Sequence, residues 1–367
     1  MTTAYLLTGH VLTYTDDPFV VPWADAVHID ENGAVLVQDG HVVATGAAAK
    51  AQGADATRHD YPGHLICPGF VDAHAHYPQT AIIASWGKRL IDWLNTYTFP
   101  EEMRFGDPTY ATDTAARYLD LLLDHGTTSV VSFCTIHPES VHALFTAAAD
   151  RNMAVVAGKT CRDRNAPDGL RDTARSAYDD SKVLLTRWHR AGRARYAITP
   201  RFSPTSSQEQ LAALGALWAE HPDTLMQTHL SEQVDEIAWV RSLYPQARDY
   251  LDTYEAHGLL GARGLYGHAI HLEPREVDRL NEVGGGVVHC PTSDAFIGSG
   301  RFDMMGLTAP FPCCVPWPPP TRSRNCGALR SMPHSFCGSP QPGQRACCTK
   351  RTRSGISLRA TWRIFVS

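Results

Sequence analysis

Seven short apolar runs, several of them closing on polar residues and separated by stretches of helical periodicity, restrict this chain to very few folds. The runs fall at 66–74, 126–133, 153–160, 194–202, 225–232, 264–270 and 286–291, with helices expected between them, as over 108–124 and 208–220. Continuous apolar strands alternating with helices mark a parallel sheet covered on both faces, because each crossover helix packs back onto the sheet it left. Chemistry in such repeats gathers at the C-terminal ends of the strands. Seven strands are one short of a closed (β/α)8 barrel.

The strand ends carry the residues that matter. The first run, Ile66-Cys67-Pro68-Gly69-Phe70-Val71-Asp72-Ala73-His74-Ala75-His76, ends on two histidines at i and i+2. Side chains at that spacing share one face of a strand, and both imidazoles can reach one metal ion beyond its end. A lone His-x-His is weak evidence, but other runs supply partners. The run at 225–232 closes on His229 and Glu232, the run at 264–271 presents His268, and 194–202 ends on Thr199, Pro200, Arg201 and Phe202.

Residues 1–65 differ in texture. Tyr5–Tyr14 and Ala34–Gly46 read as short strands, the latter folded into a hairpin at Asp39-Gly40, which gives a small β domain. Residues 66–303 form the barrel domain. The whole chain of 367 residues is 43% hydrophobic and 19% charged, enough for one large domain with a satellite, and its net charge of −5 gives no reason to expect nucleic acid or an anionic membrane as partner. No apolar stretch reaches the length of a membrane span, and the start lacks the basic region and apolar core of a secretory signal. Cys67, Cys134, Cys161 and Cys290 are scattered, as buried core thiols in a reducing compartment are. A cytoplasmic protein is expected.

Residues 304–367 break the pattern. They hold Arg322, Arg324, Arg330, Arg345, Lys350, Arg351, Arg353, Arg359 and Arg363 without one Asp or Glu, six of the ten cysteines, and the run Pro318-Pro319-Pro320. Little periodicity remains to bury apolar surface against the entropy of ordering, and this basic Cys/Pro-rich tail is expected to be disordered.

Longer motifs bring in a family. Pro68-Gly69-Phe70-Val71-Asp72-Ala73-His74-Ala75-His76 resembles the first barrel strand of the metal-dependent amidohydrolase superfamily. Within it, His76-Tyr77-Pro78-Gln79, Asp92–Glu101, Asp163-Arg164-Asn165-Ala166-Pro167, Ile198–Phe202, Thr228–Glu232 and His289-Cys290-Pro291-Thr292-Ser293 resemble the bacterial guanine deaminase family, in order, to about residue 308. The resemblance implies an amidohydrolase (β/α)8 barrel, here lacking its last strand, with a small N-terminal β-sandwich domain. It implies one Zn2+ per chain on His74, His76 and His229, with Glu232 and His268 as catalytic groups, and a zinc-activated water as nucleophile. It further implies Gln79, Arg201, Phe202 and Trp93 as substrate-binding residues, guanine as the small-molecule substrate in purine catabolism, and a homodimer. Arg201 offers a planar donor fork for the O6/N7 edge of guanine, and Gln79 can both donate and accept.

Two departures bear on activity. The family's Asp ligand at the end of strand eight, in Thr-Asp-Val-Gly-Gly, has no counterpart after Ser293, and Asp294 stands where Asn is expected. Read one base out of register, residues 357–365 permit Phe-Ala-Pro-Gly-Tyr-Met-Ala-Asp-Phe, which resembles the closing segment of these enzymes; a frame change near 304–312 accounts for the tail. An impaired deaminase is therefore expected. An aminohydrolase of another purine, a pterin or an s-triazine stays open, as does a non-catalytic remnant.

Overall fold

The computed structural model describes residues 3–16, 21–87, 89–303 and 362–366. They divide into two compact units, one made of residues up to Val71 with 121–129 and the terminal strand, the other of 72–120 and 130 onward.

In the first unit, strands β1 (Ala4–Tyr14), β2 (Val27–Gln38), β3 (His41–Thr45) and β4 (Thr57–Pro68) form a single sheet with a terminal strand, Trp362–Val366, in the order terminal-β4-β1-β2-β3. The β2–β3 turn sits at Asp39-Gly40 as expected, with φ of +49° and +81°, the paired positive angles that let a two-residue turn follow strand twist. Residues 34–37 of β2 are buried on both faces by alternation. Val35 and Val37 join Leu7, Val11 and Ile66, while Ala34 and Leu36 pack with Leu6 under the helix Gly46–Gln52 through Ala49.

Two differences from the sequence reading appear here. The tail is not structureless throughout: Trp362–Val366 pairs antiparallel with β4, with Ile364 opposite Ile66. Residues 304–361, where disorder was expected, lie outside the described residues. In addition, the strand expected over 66–74 is two strands. Pro68 ends β4, and the next strand, β5, runs from Phe70 to His76. Gly69 makes the break, since a Cβ there would come within 2.2 Å of the Thr128 hydroxyl.

The second sheet adds β6 (Thr127–Phe133), β7 (Ala154–Gly158), β8 (Thr160–Cys161), β9 (Ala194–Pro200), β10 (Leu225–Leu230), β11 (Gly264–His268) and β12 (Gly286–Val288), in the order β12-β11-β10-β9-β7-β6-β5 with β8 on β9. The registered pairs β7–β9, β9–β10, β10–β11 and β11–β12 are parallel. Every residue of β7 and β10 is buried, as strands with both faces covered must be. Helices follow the strands, including Pro108–Asp124 and Gln208–Glu220, close to the expected spans. Ser207 caps the latter by accepting from the Gln210 N–H. Among the described residues no eighth long strand closes the sheet.

The fit of β7 against β9 is tight enough to test. A Cβ on Gly158 would lie 1.8 Å from the Ala197 carbonyl oxygen, a backbone atom that cannot swing away. Gly158→Ala is expected to destabilise the fold by about 3 kcal/mol, read as a lower urea midpoint at unchanged slope.

Candidate active site

Four imidazoles converge at the C-terminal ends of three strands. His74 and His76 end β5, His229 lies near the end of β10, and His268 ends β11. The ring of His74 is 5.3, 4.7 and 5.0 Å from those of His76, His229 and His268. One ligand nitrogen from each of His74, His76 and His229 falls within 4.8 Å of the others. Phe133, from the end of β6, forms the floor: it stacks on His76 at 4.5 Å and meets His229 at 4.6 Å. Nothing in the sequence singled out this phenylalanine, because an apolar residue at a strand end reads as core.

The protonation pattern suits a cation. Nδ1 of His229 lies 2.8 Å from the Arg201 carbonyl, which only accepts, and so Nδ1 carries the proton. The lone pair on His229 Nε2 then faces inward, 3.0 Å from Nε2 of His76. His74 Nε2 and His76 Nδ1 are buried without hydrogen-bond partners. Burial, reinforced by neighbouring positive groups, holds His74, His76 and His229 well below the ordinary imidazole range and keeps them neutral. Neutral, convergent imidazoles with open nitrogens are what a zinc ion requires.

Beside them is a buried acid cluster. Glu232 follows β10 after Ser231, whose φ of +48° turns the chain. Its N–H donates to Glu236, which also accepts from Gln233. Burial pushes the Glu232 carboxyl up to about 7, against the opposing effect of His268. His268 Nε2 lies 3.6 Å from Glu232 Oε2, and its Nδ1 is 2.7 Å from Asp294 Oδ1. Burial alone would lower His268, but the charge of Glu232, with Asp294 and Cys290, raises it well above the ordinary range. Cys290, expected in the core, is only half-buried, and its sulfur lies within the same 4.8 Å limit of His74 and His268.

The expected substrate residues are placed unevenly. Arg201 is neither free nor at the surface: it is 3% exposed, and its Nη1 donates to Glu102 Oε1 at 2.8 Å. The other oxygen of Glu102 accepts from Arg162 Nη2, and both of these side chains are 0% exposed. Burial would raise the Glu102 carboxyl, but the two guanidiniums outweigh it and hold it below its usual range. Glu102 comes from the helix Phe99–Met103, which follows a π-helical turn at Leu94–Thr98. Phe202 is buried, 6.2 Å from the His229 ring, in an apolar cluster with Leu90, Leu94, Phe99 and, at its margin, Trp93. The Trp93 indole N–H donates to the Ser85 carbonyl at 3.0 Å, which makes it a packed helix residue. Gln79 lies in the 3-10 turn Tyr77–Ile82 directly after His76. The Glu102–Arg162 pair escaped sequence reading, since both lie outside the strand-end motifs.

Comparison with known proteins gives the chain a family. The amidohydrolase family profile matches residues 65–308, and the chain belongs to the amidohydrolase family. Within it, the chain is 49% identical over 284 residues to guanine deaminase of Escherichia coli K12, covering 77% of this chain and 65% of that relative. It therefore spans just under two thirds of that protein's length. Among solved structures, E. coli guanine deaminase matches with a TM-score of 0.80 at 44% identity, over 83% of this chain and 72% of the other. Guanine deaminase from C. acetobutylicum, solved with guanine in its active site, matches with a TM-score of 0.76 at 30% identity, over 82% of this chain and 70% of that one.

Proposed function

We propose that this chain carries the active site of a guanine deaminase, which replaces the 2-amino group of guanine by oxygen from water to give xanthine and ammonia. The observation that supports this best is the convergence of His74, His76, His229, His268 and Glu232 at the sheet's C-terminal edge, in a chain half identical to a protein of that name. His74, His76 and His229 would hold one zinc ion. When bound, it supplies a Lewis acid that makes a water nucleophilic at neutral pH.

The chain's own groups do the remaining work. Glu232 takes one proton of the attacking water and passes it to the ring nitrogen as the C2–O bond forms, then carries the proton of the new hydroxyl to the amine as the C2–N bond breaks. Its raised proton affinity suits a group that must hold a proton between those transfers. His268 donates through Nε2 to the oxygen of the attacking water. Arg201 has donors beyond the one held by Glu102, and these suit the O6/N7 acceptor edge, with Gln79 on the ring N–H and Phe202 and Trp93 as the apolar wall. The lack of a Thr-Asp strand end after Ser293 and the out-of-register reading of 304–367 together imply slow turnover. Among the described residues no helix is long and apolar enough to cross a membrane. A cytoplasmic homodimer belongs to the same proposal, and solution mass by light scattering checks the dimer.

The test is ammonia release from guanine by zinc-loaded protein. Glu232→Gln is expected to reduce kcat by about 10²- to 10⁴-fold. A gene rewritten one base out of register after codon 304 is expected to exceed the present chain. Turnover of a pterin or s-triazine but not guanine moves the substrate to the runner-up class, and no turnover by either chain leaves the non-catalytic remnant.

A further inference from the structure

Asp294 has no part in the scheme above, yet it is among the most enclosed carboxylates of the chain. We propose that Asp294 is the positioning residue of His268: it fixes the rotation of the imidazole and holds a proton on Nδ1, leaving Nε2 as the atom turned toward Glu232. The meaning for catalysis rests on the deaminase reading, whereas the placement of the ring does not.

The geometry begins with the backbone. His268 and Ala269 have φ of +67° and +50°, a left-handed conformation that costs side-chain-bearing residues energy and persists only where surroundings impose it. Here the ends of β10 impose it: the Ala269 N–H donates to the Leu230 carbonyl at 2.9 Å, and those of Ile270 and His271 to the Ser231 carbonyl at 3.1 Å. That turn sets where the His268 side chain leaves the chain, but not how its ring is rotated.

Rotation is set from the other side. Asp294 lies in the helix Pro291–Phe296, which starts just beyond β12. It is pinned by its own N–H to the Cys290 carbonyl and by the Ser299 N–H to its carbonyl, both 2.9 Å. Its side chain is 3% exposed, and Oδ1 meets His268 Nδ1 at 2.7 Å. The carboxylate oxygen is the acceptor, which makes Nδ1 the donor. Its other oxygen, Oδ2, is buried without a hydrogen-bond partner, leaving His268 as the group this carboxylate serves. With Nδ1 committed, any proton or hydrogen bond that His268 offers to a reactant passes through Nε2, 3.6 Å from Glu232. An Asn could present either an oxygen or an NH2 to the ring, and only the oxygen would give the same result. The Asp removes that ambiguity.

The experiment is 1H–15N NMR of histidine side chains in the zinc-loaded protein, with His268 assigned from the signals lost in His268→Gln. The unmodified chain is expected to show a low-field Nδ1–H proton on His268, protected from exchange. Asp294→Asn is expected to keep it through the amide oxygen, and Asp294→Ala to lose it, with kcat for guanine falling about 10- to 100-fold at little change in KM. A bare Nδ1 in the unmodified chain overturns the proposal, as does an Nδ1–H signal unchanged in Asp294→Ala. If the alanine variant does not fold, the unmodified chain and Asp294→Asn still decide it. Absence of guanine turnover by both the unmodified chain and the chain rewritten after codon 304 would overturn the deaminase reading alone, and the ring spectrum would still decide the placement of Asp294.

Discussion

Replacing Glu102 by alanine is expected to destabilise the fold by about 3–5 kcal/mol, a large share of the stability of any single domain. The carboxylate is fully enclosed and binds two guanidiniums, Arg162 and Arg201, that are themselves buried. Its removal leaves two cations facing each other in low dielectric. Arg162 can least tolerate this, because its Nε and Nη1 are already buried without partners, and beyond Glu102 its charge is met by the ring of Phe99, 5.2 Å away, and the more distant Asp172 carboxylate. Urea denaturation at neutral pH measures the loss. A second change separates charge from packing: adding Arg162→Met to Glu102→Ala is expected to recover part of the stability, since a buried ion pair exchanged for apolar groups is often nearly neutral. A loss below about 1 kcal/mol in the single variant would show that the cluster is solvated in solution.

His229→Ala is expected to weaken zinc binding by about 100-fold or more, beyond what loss of a residue that merely orients a ligand costs. Three neutral imidazoles are the proposed ligand set, and His229 is the one whose tautomer is fixed by a backbone carbonyl, with Nδ1–H on Arg201 and Nε2 open. His268→Ala is the necessary contrast. Its Nδ1 is committed to Asp294 and its Nε2 faces Glu232, so zinc content is expected to stay near that of the unmodified chain. Metal analysis after dialysis reads both variants without any assay of turnover. Equal zinc loss in the two would move His268 into the ligand set, and zinc retained by His229→Ala would overturn the assignment.

The βα alternation, the helix spans and the strand-end histidines were legible in the sequence because they are local. Period-two and 3.6-residue patterns fix which segments become strands and helices, and strands joined by crossover helices must lie parallel. The hairpin at Asp39-Gly40 was legible for the same reason, as two adjacent residues alone can supply its positive φ angles. What local pattern could not give was partnership between distant residues. Phe133 under the imidazoles, Glu102 between Arg162 and Arg201, and Asp294 on His268 join positions separated by 26 to 99 residues. Nor could it show that Arg201 is enclosed, or that the 66–74 run divides at Gly69 between two sheets. Local pattern is enough for the elements and the residue types at their ends; which lone pair, proton and charge face one another follows from packing between elements, because packing sets burial and orientation.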